Sequence, residues 1–170
     1  WNLSDVLDNF TVSTDGSASD VSTSWPTSGE HIISVRAVDD DGATSSTSLA
    51  KVTIVNVPPT MTAEANFLNA VNNGLTVDED DEVVFDVAVD DTASDKDSLE
   101  VCWDIDGTRD ADLDGTLNND CDVSGTHFEY TWESSNPQFR TVTAWVKDDD
   151  GAMASISAVV KVQNVLPGAE

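Results

Sequence analysis

The stretch "AWVKDDDGAMASISAVVKVQNVLPG" (Ala144 to Gly168) reads as two β-strands joined by one tight turn. Apolar and polar residues alternate on both sides of Asp148-Asp149-Asp150-Gly151, and Asp and Gly are the residues a sharp reversal favours. The pattern occurs a second time, as "VRAVDDDGATSSTSLAKVTIVNVPP" (Val35 to Pro59), with Asp39 aligned to Asp148. Farther upstream, "WNLSD" at Trp1 pairs with "WDIDG" at Trp103, and Trp25 with Trp132. A unit repeated after about 110 residues has the size of one small β-sandwich domain.

The rest of the chain agrees with an all-β class. "EVVFDVAVDD", "LEVCWDID" and "THFEYTW" alternate with period two, and Gly, Asp, Asn and Pro clusters separate them. "HIISVRAVDDDG" places Ile33, Val35 and Ala37 on one face. "ANFLNAVNNG" (Ala65 to Gly74) is the one segment that suggests a brief helical turn. The repeat divides the chain into residues 1–57, the C-terminal part of a sandwich; residues 58–167, a complete one; and residues 168–170, the start of a linker. The first unit begins at its own Trp and so lacks about two strands. Truncation of a longer tandem array is the favoured explanation, and completion by another chain is the alternative.

The chain has 170 residues, 33 Asp plus Glu against 7 Lys plus Arg, and a formal net charge of −26. Nucleic acid and anionic membrane would be repelled, so neither is expected as a partner. No apolar run approaches the roughly 20 residues of a membrane span. With 39% hydrophobic residues in regular runs, the charge does not signal disorder. Two cysteines, Cys102 and Cys121, in an acidic, Lys-poor chain suggest a disulfide in an oxidising compartment, with two unpaired thiols as the alternative. Asn2 and Asn9 fit the glycosylation acceptor pattern, which agrees with an exported surface.

The acidic residues are not spread evenly. "WDIDGTRDADLDGTLNNDCD" (Trp103 to Asp122) holds seven Asp and ends beside Cys121. Inside it, Asp110, Asp112 and Asp114 precede Gly115 as Asp-x-Asp-x-Asp-Gly. Calcium takes 6–8 oxygens, and alternating carboxylates with a Gly for the turn suit it. An EF-hand loop would carry Glu at its twelfth position, where this chain has Cys121. Asp110, Asp112, Asp114 and Asp120 are the expected side-chain ligands, and Thr116 would add a backbone carbonyl. Asp104 and Asp106 are candidates for further oxygens or a second ion. A Cys102–Cys121 bridge would close this loop before the ion arrives. The competing reading is a solvated acidic loop.

"SDKDSLEVCWDIDG" (Ser94 to Gly107), "GEHIISVRAVDDDG" and "RTVTAWVKDDDG" together resemble the polycystin-type (PKD) repeat, an immunoglobulin-like sandwich. The pattern departs at His31 and Arg140, which occupy its usual Tyr position. The loop after Trp103 resembles the calcium loops of thrombospondin type 3 repeats. The first resemblance implies tandem Ig-like sandwiches in extracellular spacer, adhesion or assembly proteins, with neighbouring repeats or identical chains as partners. It also implies calcium at the end of the sandwich beside the interdomain linker, from Asp95, Asp97, Asp148 and Asp149, with Asn56 weaker. There the alternative is that Asp-Asp-Asp-Gly is simply a turn. Trp103 is expected in the core. Trp25, Trp132 and Trp145 are the aromatics best suited to a sugar platform, with burial the favoured reading. No nucleophile elbow, Cys–His signature or zinc pattern supports catalysis, so the chain is read as non-enzymatic. The resulting expectation is a calcium-stabilised structural module of a secreted tandem-repeat surface protein. The alternative is a carbohydrate- or protein-binding accessory module of a secreted hydrolase.

Overall fold

The computed structural model describes residues 23–105 and 120–166. The chain divides into two compact units, Trp1–Asn56 and Val57–Glu170. In the first, strands β1 (Gly29–Val35) and β2 (Ser48–Ile54) pair antiparallel from Gly29↔Ile54 to Val35↔Ser48. Ala37 was expected on the strand face with Ile33 and Val35, but it lies past the end of β1 and is exposed. There its N–H donates to Ser45 Oγ at 2.9 Å, and the Ser45 N–H returns to the Ala37 carbonyl. The side chain of Ser45 thus stands in for one rung of the ladder.

The second unit runs β3 (Thr60–Glu64), α1 (Ala65–Asn73), β4 (Leu75–Asp78), β5 (Glu82–Asp90), β6 (Glu100–Asp104), β7 (Val123–Ser124), β8 (His127–Thr131), β9 (Phe139–Lys147) and β10 (Met153–Gln163). One sheet has the order β4-β10-β9-β6-β7 and the other β3-β5-β8. β4 runs parallel to β10, and the other pairs are antiparallel. Two sheets packed over one core, with the first strand divided between them, make an immunoglobulin-like sandwich. The all-β reading of the sequence is correct.

Period-two alternation builds the core. Val83, Phe85 and Val87 of β5 face Val101 and Trp103 of β6, Val142, Ala144 and Val146 of β9, and Val160 and Val162 of β10. Trp103 is completely buried, with its ring 5.3 Å from Phe128 and 5.0 Å from Phe67 between centroids. Its Nε1–H donates to the Gly125 carbonyl at 2.8 Å, so burial leaves no polar atom of the indole unsatisfied.

The suggested helical turn is a nine-residue helix. α1 packs against β5 of one sheet and β10 of the other, with Phe67 and Ala70, one turn apart, pointing into the core. Gly74 ends it at φ 72°, its N–H donating to the Ala70 carbonyl at 2.8 Å. Burying one Phe side chain is worth about 1.5–3 kcal/mol, so the helix is held by packing and not by propensity.

His31 and Arg140 both lie close to backbone carbonyls a few residues upstream. Arg140 Nη2 donates to the carbonyls of Ser134 (3.1 Å) and Asn136 (3.2 Å), and His31 Nε2 lies 3.2 Å from the Thr27 carbonyl.

Candidate metal centre

Strand β6 positions the first candidate site. Val101 and Trp103 point into the core, so Cys102 and Asp104 point to the opposite face of the sheet. The register places Cys102 across from Trp145 and Asp104 across from Thr143 on β9. Cys102 is bonded to Cys121, with 5.1 Å between their Cα atoms, within the ordinary range for a disulfide. The two cysteines are 19 residues apart, and closing such a loop is worth roughly 3 kcal/mol in the chain-entropy model.

Three further contacts hold the two ends of that loop. Trp145 Nε1–H donates to the Asp120 carbonyl at 3.2 Å. The Asp122 N–H donates to the Trp103 carbonyl at 2.9 Å, and Asp122 Oδ2 accepts from the Ile105 N–H at 3.0 Å. Asp104 is completely buried and Asp120 is 4% exposed. Ionised carboxylates in such positions need compensating charge or strong hydrogen bonds. Two of the expected ligands therefore sit buried at the root of a cross-linked loop. Asp106, Asp110, Asp112, Asp114 and Thr116 lie outside the described residues, as do Asn2 and Asn9.

The second candidate site joins the β5–β6 and β9–β10 loops. The structure brings these loops together: the single Ser98 hydroxyl proton has two acceptors in reach, the Asp95 carbonyl at 2.7 Å and Asp149 Oδ1 at 3.1 Å from Oγ. The carboxylates are already engaged. Asp95 Oδ2 accepts from Thr92 Oγ1 at 2.7 Å. Asp148 Oδ1 accepts from the Ala152 N–H at 2.7 Å, and the Asp148 carbonyl accepts from the Gly151 N–H at 3.2 Å. In the first unit Asp39 makes the same bonds, from the Ala43 N–H at 2.7 Å and the Gly42 N–H at 3.1 Å. The first Asp of each Asp-Asp-Asp-Gly-Ala motif is therefore the cap of its own hairpin turn.

Asp97 is exposed. Its neighbour Lys96 reaches Asp90 Oδ1 at 2.6 Å, and this hydrogen-bonded ion pair lowers the Asp90 pKa and raises that of Lys96. Asn56 belongs to the first unit. Among the described residues, no three His, Cys, Asp or Glu side chains are grouped to hold a metal ion.

Among the described Trp residues, three are buried and Trp25 is half-buried. Trp103 is in the core, Trp132 is 4% exposed and Trp145 is 7% exposed, while Trp25 stacks on His31 with centroids 5.0 Å apart. No family model matches this chain, and no curated protein does. Among solved structures it is similar to fibronectin(III)-like modules of CbhA from Clostridium thermocellum, at 17% identity and a TM-score of 0.45 over 84% of this chain and 67% of that one. It is also similar to a nucleoside hydrolase-related hypothetical protein from Saccharophagus degradans, described as associated with carbohydrate metabolism. There the identity is 13% and the TM-score 0.42, and the match covers 65% of this chain and 26% of that one.

Two residues of the first site escape a reading by residue type. By residue type Trp145 reads as core or platform, yet it anchors the loop root on the outer face of the sheet. The signal was present in its phase: Val142, Ala144 and Val146 fill the inner positions of β9, so a Trp between them must be covered from outside. Asp122 reads as one more acid in a run, and its bonds to Ile105 and Trp103 distinguish it.

Proposed function

We propose that the chain is a non-catalytic, calcium-stiffened spacer or assembly module of a secreted tandem-repeat surface protein, with PKD-type sandwiches and a thrombospondin type 3-like calcium loop. The observation that carries the reading is the pair of buried carboxylates, Asp104 and Asp120, beside the Cys102–Cys121 bridge that closes the loop containing Asp110, Asp112 and Asp114. These residues supply hard oxygen donors, which suit calcium and not a soft metal. A disulfide and a net charge of −26 also favour an oxidising, extracellular setting. Neighbouring repeats and identical chains are the proposed partners. The module would act by keeping distance and orientation, and the ion would stabilise the folded loop by mass action, about 2.7 kcal/mol at a hundredfold excess over Kd.

Calorimetric melts of the disulfide-intact chain test this, in calcium, in magnesium and in chelator. The midpoint rises in calcium, and Asp104→Asn removes most of that rise. Equal midpoints in calcium and chelator refute the calcium reading and leave the fold untouched.

A further inference from the structure

Past the outer end of β6 and the end of β8, the second unit opens into a cleft of about 620 Å³, within the range of roughly 300–1,000 Å³ typical of small-ligand sites. Its walls include Tyr130, Trp132, Glu133, Ser134, Arg140 and Asp122. Tyr130 is the most exposed aromatic of the series that runs out of the core, 36% accessible. It stacks on Phe128 at 5.9 Å and meets Trp132 edge-on at 5.2 Å, which fixes its ring without covering it. Arg140 is held in place through Nη2, but its buried Nε–H has no hydrogen-bond partner. That atom is closed to solvent, so Arg140 contributes to the cleft wall a fixed, positively charged side chain.

We infer that this cleft binds a neutral saccharide. A sugar ring has an aliphatic face that packs on an aromatic ring, and hydroxyls that both donate and accept. The cleft offers the Tyr130 ring, the Glu133 carboxylate as acceptor and the Ser134 hydroxyl as either donor or acceptor. Charge selects within the class. Asp122 and Glu133 outnumber the single Arg140, and the chain carries −26, so uronates, sulfated sugars and phosphates are repelled. The inference does not depend on calcium at the loop root.

Backbone-amide NMR titration of the full chain, disulfide intact and in calcium, decides it. The probes are cellohexaose, chitohexaose, mannohexaose and xylohexaose, with oligogalacturonate as the anionic comparison. At least one neutral probe shifts the amides of Tyr130–Ser134 and Arg140 and the Trp132 indole, and the uronate does not. Tyr130→Ala abolishes the shifts. Because that change also removes packing against Phe128, Glu133→Gln at an exposed position serves beside it and weakens binding about tenfold. No response to any neutral probe, an equal response to the uronate, or binding that Glu133→Gln leaves unchanged overturns the inference.

Discussion

The repeated acidic turn gives a measurement that separates a structural from a metal-binding role at one residue. Asp148 Oδ1 accepts from the Ala152 N–H at 2.7 Å, and Asp148 is 4% exposed. A charge-assisted hydrogen bond of this kind contributes about 1.5–3 kcal/mol, and removing it strands a partly buried backbone N–H. Asp148→Ala should therefore cost the second unit about 2 kcal/mol. Asp148→Asn keeps an oxygen acceptor in place and should cost about half as much. Asp39 makes the same bond to Ala43 at 2.7 Å, but in solvent, so Asp39→Ala should cost the first unit less than about 1 kcal/mol. The assay is urea denaturation followed by tryptophan fluorescence, in calcium and in chelator, with m-values compared to confirm that the denatured state is unchanged. If Asp148 is only a cap, the cost is equal in the two conditions. If it is also a ligand, the cost is larger in calcium by the lost binding energy. A cost near zero in chelator would refute the capping argument, whatever calcium does.

Three further outcomes are expected. His127 is bracketed by Asp86 Oδ1 at Nδ1 (2.7 Å) and Glu129 Oε1 at Nε2 (3.1 Å), and the hydrogen bonds to these two carboxylates raise its pKa above the usual 6.5. The stabilisation this brings is complete below the unfolded value and is lost as pH rises through the folded one; an NMR titration shows the raised midpoint, and Asp86→Asn lowers it. Glu79 accepts from the Ser135 N–H (3.2 Å) and the Val165 N–H (3.0 Å). Glu79→Gln can keep only one of these, so stability should fall by about 1–2 kcal/mol, with faster hydrogen exchange at Val165. Phe67→Ala, which empties a fully buried site 5.1 Å from Phe85 and 5.0 Å from Trp103, should cost about 3–5 kcal/mol by calorimetry.

The parts of the fold that follow from a period of two were legible in the sequence. Val83, Phe85 and Val87, or Val142, Ala144 and Val146, announce a buried face without help from any distant residue. The repeat around Asp39 and Asp148 likewise announced the hairpin. Legibility ended where one position answers to a partner far along the chain. Phe67 and Ala70 read as a marginal helix because nothing local shows that two sheets leave a gap for them. Arg140 read only as a departure from the resembling pattern, because its hydrogen bonds go to the carbonyls of Ser134 and Asn136, which no local pattern reveals. At the loop root, Cys102, Cys121, Asp104 and Asp120 were legible from composition and spacing. Trp145 and Asp122 were not, since their part is to hold backbone groups of other residues.

Strand β6 ties the candidate site to the core by register. Odd positions carry Val101 and Trp103 inward, and even positions carry Cys102 and Asp104 outward, opposite Trp145 and Thr143. A slip of one residue would turn Asp104 into the apolar core and Trp103 out of it, and would separate Cys102 from Cys121. The penalty for stranding a carboxylate among Phe67, Phe85 and Phe128 far exceeds that of an ordinary packing fault. The same alternation that buries Trp103 therefore selects the one register in which the disulfide closes and the two acids meet the loop. A register slip would therefore disturb the core and the loop root together, whereas a substitution on the outer face alone leaves the register intact. For that reason, changes confined to the outer face, such as Asp104→Asn, are the ones that test the loop while leaving Trp103 and the sandwich in place.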